Sequence, residues 1–312
     1  MQAHTLAIIQ ARMGSSRLPG KVMLDIAGQP MLGRVVKRAS RAETVDAVMV
    51  ATTTDPEDQA IANFCAEHGF PCYRGSQHDV LDRYYQAACS CGAEVIVRIT
   101  ADCPMIDSGV IDDTVSAFLG KAYGTAVEAN GKVTTVENHL PSGTLPVTQN
   151  FPYDFAANRL PPPWGRTYPI GLDTEVCSFT ALERAWKEAE QPYQREHVMP
   201  YLYEGAMRLQ QKESGAGDVP SGYPPLFRIL LINHEPDYGS LRWTVDTPED
   251  LDLVRRVYAY FHGRDNFTWL EVLDLLRSHP ELAQINAQVQ HKKVDDFDRR
   301  VLEQKSKQAP GN

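Results

Sequence analysis

The chain has 312 residues, 43% hydrophobic and 23% charged, enough apolar material for one large α/β domain or two smaller ones. A formal net charge of −9 and a pI near 5.5 argue against nucleic acid or an anionic membrane as partner. No apolar run approaches the ~18 residues of a membrane-spanning helix and no basic-then-apolar leader opens the sequence, so the default expectation is a cytoplasmic protein.

The first element is the apolar run Leu6, Ala7, Ile8, Ile9, which has the length of a buried strand and breaks at Gln10. The loop after it carries Gly14, Ser15, Ser16, Pro19 and Gly20 among three cations, Arg12, Arg17 and Lys21. Small residues let backbone N–H groups approach an anion, and three fixed cations suit a triphosphate better than a single phosphate. The loop is neither a Walker A sequence nor Gly-x-Gly-x-x-Gly, and its other reading is a solvated strand-to-helix turn. Seven of the 31 Lys and Arg, but only one of the 40 acids, fall in the first 41 residues. Four of those cations, Arg34, Lys37, Arg38 and Arg41, are expected on the wet face of a helix over 31–39.

Residues 46–52 read as a second buried strand. Asp55-Pro56-Glu57-Asp58 then starts a helix, with a cap, a proline in the first turn and acids against the dipole. A short strand over 70–73, a helix over 79–88, a strand over 94–100 and a helix over 107–119 follow. Strands alternating with helices imply parallel pairing through right-handed crossovers. Residues 138–171 are rich in Pro and Gly and read as an inserted irregular lobe. Helices are expected over 178–189 and 195–205, a mobile loop over 214–225, and strands over 226–232 and 241–245. Thr247 and Asp250 form a capping box for a helix to Phe261, and another helix covers 269–277. One domain over 1–290 with a polar tail over 291–312 is the expected organisation. The six cysteines, Cys65, Cys72, Cys89, Cys91, Cys103 and Cys177, lack metal-site spacing and read mostly as reduced core residues.

Two aspartates stand at expected strand ends: Asp102 after the strand closing at Thr100, and Asp246 after the one over 241–245. Ligands of open α/β sheets bind beyond the carboxyl ends of strands, where the cationic loop also lies. Two carboxylates across a triphosphate suit Mg²⁺, with water and phosphate supplying the other oxygens. Each aspartate also reads as a cap or turn residue, Asp246 less readily because Thr247 already fills the cap.

The run Ile8-Ile9-Gln10-Ala11-Arg12-Met13-Gly14-Ser15-Ser16-Arg17-Leu18-Pro19-Gly20-Lys21 resembles the N-terminal signature of the sugar-nucleotide cytidylyltransferases. That family includes the CMP-acylneuraminate and CMP-Kdo synthetases and the branch of spore coat polysaccharide biosynthesis protein F. The likeness continues through Arg74-Gly75-Ser76, Thr100-Ala101-Asp102-Cys103-Pro104, Gly171-Leu172-Asp173-Thr174-Glu175-Val176, Arg195-Glu196-His197-Val198 and Trp243-Thr244-Val245-Asp246-Thr247-Pro248. The resemblance implies a three-layer, Rossmann-like, GT-A-like nucleotidyltransferase fold with a mainly parallel sheet. It also implies CTP as co-substrate, Mg²⁺, a sugar acceptor from a surface glycan, and pyrophosphate as product. By that resemblance Arg12, Arg17, Lys21, Asp102 and Asp246 are catalytic, Asp102 and Asp246 holding the metal. Gln10, Ala11, Gly14, Ser15, Ser16, Arg74, Ser76 and Thr100 bind the nucleotide, although the sialate and Kdo enzymes carry a glutamine where Thr100 stands. Asp173, Glu175, Arg195, Glu196 and His197 are acceptor-side candidates, His197 also reading as an ordinary core or surface histidine. The implied partners are a nucleoside triphosphate and a small sugar; a homodimer is left open. The alternatives are a GT-A glycosyltransferase, or nucleotidyl transfer from another triphosphate or to a non-sugar acceptor.

Overall fold

Apolar runs of strand length, separated by well-capped helices, assemble here into one sheet. The computed structural model describes residues 4–121, 124–127, 133–136, 151–213 and 227–289. The strands are β1 (Thr5–Gln10), β2 (Ala47–Thr53), β3 (Cys72–Gly75), β4 (Val95–Thr100), β5 (Gly124–Val127), β6 (Val133–Val136), β7 (Phe155–Ala157), β8 (Glu175–Ser178) and β9 (Ile229–Leu231). They lie in the order β3-β2-β1-β4-β8-β7-β9-β5-β6. β8 and β5 run against their neighbours, so seven of these nine strands share one direction. Gln10 sits level with Ala51 on β2 and Thr100 on β4, so the loops after these strands leave the same end.

The helices are α1 (Met31–Ala39), α2 (Gln59–His68), α3 (Val80–Cys91), α4 (Ser108–Phe118), α5 (Phe179–Glu188), α6 (Pro192–His197), α7 (Pro200–Glu213), α8 (Pro248–Tyr260), α9 (Trp269–Ser278) and α10 (Pro280–Gln284). Alternate strand residues serve opposite layers, as the two-residue period requires. Ala7, Ile9, Val97 and Ile99 pack with α1, α2, α4, α8 and α9. Leu6, Ile8 and Ile96 pack with α3, α5 and α7. The result is a three-layer α/β fold with a mainly parallel sheet. Caps mark the helix starts: Asp79, Asp107 and Ser178 each accept backbone N–H groups, and Thr247 with Asp250 closes the expected box.

Several expectations need correction. Residues 241–245 form only one bridge, Ile170 to Arg242, because this segment runs past the end of β4. Its amides bond to loops: Trp243 N donates to Ile170 O at 2.7 Å and Val245 N to Asp102 O at 2.8 Å. Within the expected irregular lobe, Phe155–Ala157 is an interior strand, its three residues buried between β8 and β9. The helix expected over 195–205 is two helices, broken where Val198 takes φ +70°. Asp55 caps a short 3-10 turn, Pro56–Asp58, before α2 begins. Cys72 and Cys89 are exposed; the other four cysteines are buried. Arg34 and Arg38 are 1% and 2% exposed, whereas Lys37 and Arg41 do face solvent. The loop expected over 214–225, the tail over 291–312 and residues 138–150 of the lobe lie outside the described residues. Among the described residues no helix is long and apolar enough to cross a membrane.

Candidate active site

The loop after β1 is held by its backbone. Ala11 N donates to Ala51 O at 3.1 Å, Met13 N to Asp58 Oδ1 at 2.6 Å, and Gly20 N to Met13 O at 3.0 Å. Gly20 closes the loop in the left-handed region at φ +67°, where a side chain is disfavoured. Asp58, 3% exposed, uses its other oxygen to accept the Thr53 hydroxyl. This carboxylate therefore ties the loop to the end of β2, a role the sequence did not reveal. In a run of acids at a helix start, Asp58 reads as dipole compensation. Arg12 and Ser16 remain exposed, with Gly14 and Ser15 partly so.

Lys21 follows directly, its own N–H on Leu18 O at 3.2 Å. Its ammonium donates to Asp102 Oδ2 at 2.8 Å, Asp246 Oδ1 at 2.8 Å and Val245 O at 2.9 Å. Asp102 Oδ1 accepts the Thr100 hydroxyl at 2.6 Å, so Thr100 aims this carboxylate. Asp246 Oδ2 accepts from Arg17 at 2.8 Å and Arg242 at 2.7 Å, and Arg242 is itself gripped by buried Asp250. Burial opposes all three charges, but mutual attraction outweighs it. Lys21 is raised above its ordinary value by Asp102 and Asp246, and Lys21 holds both carboxyls below theirs. Burial, with Asp102 beside it, pushes the Cys103 thiol well up and favours the neutral thiol.

Gly171 makes this convergence possible. At φ +107°, its Cβ would stand 2.6 Å from Thr244 N and 2.7 Å from the Trp243 carbonyl carbon. The segment carrying Asp246 thus docks on bare backbone. Two carboxylate oxygens and a main-chain carbonyl within 2.9 Å of one cation form a hard-oxygen set that fits Mg²⁺. Among the described residues no three His, Cys, Asp or Glu converge, so phosphate and water would supply the other ligands.

The other expected residues also make contacts within the fold. Arg74 donates to Thr53 O at 2.9 Å and Asp55 O at 3.2 Å, bracing the loop after β2. The Ser76 hydroxyl accepts from Asp79 N at 3.1 Å in the turn before α3. Arg195 donates to Asp79 Oδ2 at 2.9 Å and Trp186 O at 2.7 Å, tying α6 to α3 and α5. Asp173 pairs with Arg166 at 2.7 Å. Glu175 pairs with Arg98, directly opposite it in the sheet, and His197 lies in the electrostatic reach of both and of Glu196. Burial lowers the His197 pKa and favours its neutral ring. Arg83 is a further residue the sequence concealed. It is 2% exposed, donates to Ser76 O at 2.7 Å, and its Nε has no hydrogen-bond partner among the described residues. The Gln10 Oε1 atom is buried in the same condition. A cation three residues after Val80, on the buried side of α3, is the signal that points to Arg83.

A cationic loop facing two carboxylates beyond the strands of a mostly parallel sheet is the layout expected of an α/β nucleotidyltransferase. The model of a family described as cytidylyltransferase matches residues 6–150. The chain is 30% identical over 255 residues to 3-deoxy-manno-octulosonate cytidylyltransferase of Trichlorobacter lovleyi, covering 80% of this chain and 96% of that protein. It is 28% identical over 282 residues to spore coat polysaccharide biosynthesis protein SpsF of Bacillus subtilis, covering 89% and 96%. A solved cytidylyltransferase from Leptospira borgpetersenii matches with a TM-score of 0.69 at 26% identity, covering 93% of this chain and 99% of that one. The chain belongs to the cytidylyltransferase family and is a nucleotidyltransferase enzyme.

Proposed function

We propose that the enzyme transfers CMP from CTP to a hydroxyl of a sugar destined for a surface glycan, releasing pyrophosphate, with Mg²⁺ as its metal. The observation that carries this reading is the convergence of Lys21, Asp102 and Asp246 beside the cationic loop. Arg12, Arg17, Lys21 and the loop's Ser15 and Ser16 take the triphosphate oxygens and balance the charge that moves onto the leaving pyrophosphate. Asp102 and Asp246 hold the metal, aimed by Thr100 and Arg242. When bound, Mg²⁺ neutralises phosphate charge and lowers the pKa of the acceptor hydroxyl. The protein's share is positioning for in-line attack at the α-phosphorus. Glu175, Glu196 and His197, which share one electrostatic neighbourhood, together with Asp173 and Arg195, are the proposed acceptor side. The names of the two curated relatives, one a sugar-acid cytidylyltransferase and one a polysaccharide biosynthesis protein, support the substrate class.

The test is pyrophosphate release from each of the four nucleoside triphosphates with Mg²⁺ and a panel of sugars. CTP with one sugar is the expected productive pair. Equal turnover with GTP, UTP or ATP would overturn the nucleotide assignment. No pyrophosphate from any triphosphate, with consumption of a finished nucleotide sugar and release of its nucleotide instead, would show a glycosyltransferase.

A further inference from the structure

The lysine expected to grip a triphosphate has all three N–H groups engaged by protein oxygens: Asp102 Oδ2, Asp246 Oδ1 and Val245 O. In that position it offers nothing to a phosphate. A divalent ion also cannot take Asp102 Oδ2 and Asp246 Oδ1 while an ammonium stands 2.8 Å from both. The two expected tasks, phosphate binding by Lys21 and metal binding by the carboxylates, therefore require the same event.

We propose that Lys21 is a resident counter-cation that keeps metal off the nucleotide-free enzyme, and that the incoming triphosphate draws its ammonium away from Asp102 and Asp246. Metal and nucleotide then bind as one unit. This deepens the nucleotidyl-transfer reading and rests on it. The surroundings of Lys21 suit the exchange. Its main-chain N–H is anchored within the phosphate loop, on Leu18 O, while its four-carbon stem leaves the ammonium free to swing. The carboxylates do not depend on Lys21 for their aim. Thr100 holds Asp102 by the other oxygen, and Arg17 and Arg242 hold Asp246 by its other oxygen. When the ammonium leaves, both inner oxygens stay pointed at the same place and a harder cation can take them. While it remains, it screens two carboxylates that would otherwise repel.

The probe is Mn²⁺, titrated into nucleotide-free, full-length protein and followed by the electron paramagnetic resonance signal of the free ion. Lys21→Met should bind Mn²⁺ at least ~10-fold more tightly than wild type, and adding Asp102→Asn to it should abolish the gain. The melting temperature of Lys21→Met should also rise with Mn²⁺ by more than that of wild type. Should Lys21→Met fail to fold, Lys21→Gln, which still donates to one carboxylate, carries the same titration. Wild type binding Mn²⁺ as tightly as the folded variant would overturn the proposal. So would wild type binding CTP equally well with and without Mn²⁺. The Mn²⁺ titration contains neither CTP nor sugar. Failure of the CTP reading in the pyrophosphate assay is thus separable from failure of the exchange.

Discussion

Lys21 and Arg17 lie fewer than twenty-five residues from Arg34 and Arg38, yet the two pairs do opposite work. Arg38 donates to the carbonyls of Ile106, Asp265 and Phe267 at 2.6–3.0 Å and stacks on the Phe267 ring at 4.1 Å. Arg34 likewise binds the carbonyls of Ile26, Ala27 and Gly263, pairs with the Asp265 carboxylate at 3.0 Å and lies over Tyr258. These guanidiniums satisfy turn carbonyls that the fold has buried, and they clamp the segment between α8 and α9 onto α1. Lys21 and Arg17 meet carboxylates brought in from two distant segments. Arg34 meets one carboxylate among three carbonyls, whereas Lys21 lies between two, Asp102 and Asp246, the arrangement on which the proposed exchange depends.

The sharpest way to break this contrast is to remove charge from the pair proposed to work in catalysis, or from the two carboxylates it meets. Asp102→Asn, Asp246→Asn, Lys21→Ala and Arg17→Ala should each cut kcat/KM for pyrophosphate release by at least ~10²-fold. The double aspartate variant should be little worse than either single one, because the two act as a unit. Normal turnover in Asp246→Asn would leave Asp102 as the only metal ligand.

Arg38→Met should do the reverse. It should lower stability by ~2–4 kcal/mol, read as a fall in melting temperature, with kcat and KM of the folded protein nearly unchanged. Activity lost without any loss of stability would place Arg38 with the working pair.

Gly171→Ala tests the backbone contact that delivers Asp246. The added Cβ meets main chain at 2.6–2.7 Å, so the 241–246 segment must shift. A ~10-fold loss in kcat/KM together with a lower melting temperature is expected, since a 1 Å misplacement is felt in the chemistry. Asp58→Ala should raise KM for CTP more than it changes kcat, by ~1–2 kcal/mol in binding, and Asp58→Asn should retain most of the affinity.

The smallest effect is in pH. Asp102 and Asp246 are held below their ordinary 3.8, so their stabilisation is complete above about pH 4 and goes as the pH falls through the folded values. Lys21 is held above 10.5, so its share is complete below that pH and goes as the pH rises past its folded value. The difference in melting temperature between wild type and Lys21→Met should therefore be flat across neutral pH and shrink at both extremes. A difference that changes steeply around neutrality would show that some other group controls the cluster.

Much was legible before any coordinates. The strand-to-loop break at Gln10, the alternation of strands and helices, and the caps at Asp55 and Thr247 depend on neighbours within a few residues. So did the candidate status of Lys21, Asp102 and Asp246, which stand at loop positions where a sheet's ends meet ligand. Not legible were the protein contacts of Arg74 and Arg195, whose motif positions imply ligand contact and whose side chains here also brace loops and helices. Trp243 and Val245 gave 241–245 the apolar pattern of a strand, although both are buried against loops.

The sequence by itself determined the local alphabet: which runs could be strands, where helices begin, and which loop could face phosphate. Those properties follow from backbone propensity, capping and periodicity, all of short range. The tertiary structure alone decided that Lys21 would lie between Asp102 and Asp246, 81 and 225 residues away along the chain. It also decided that Asp58 would steady the phosphate loop and that Arg34 and Arg38 would be interior. Each of these depends on which distant carbonyl or carboxylate the packed layers bring within 3 Å, and no window of the sequence contains that distance.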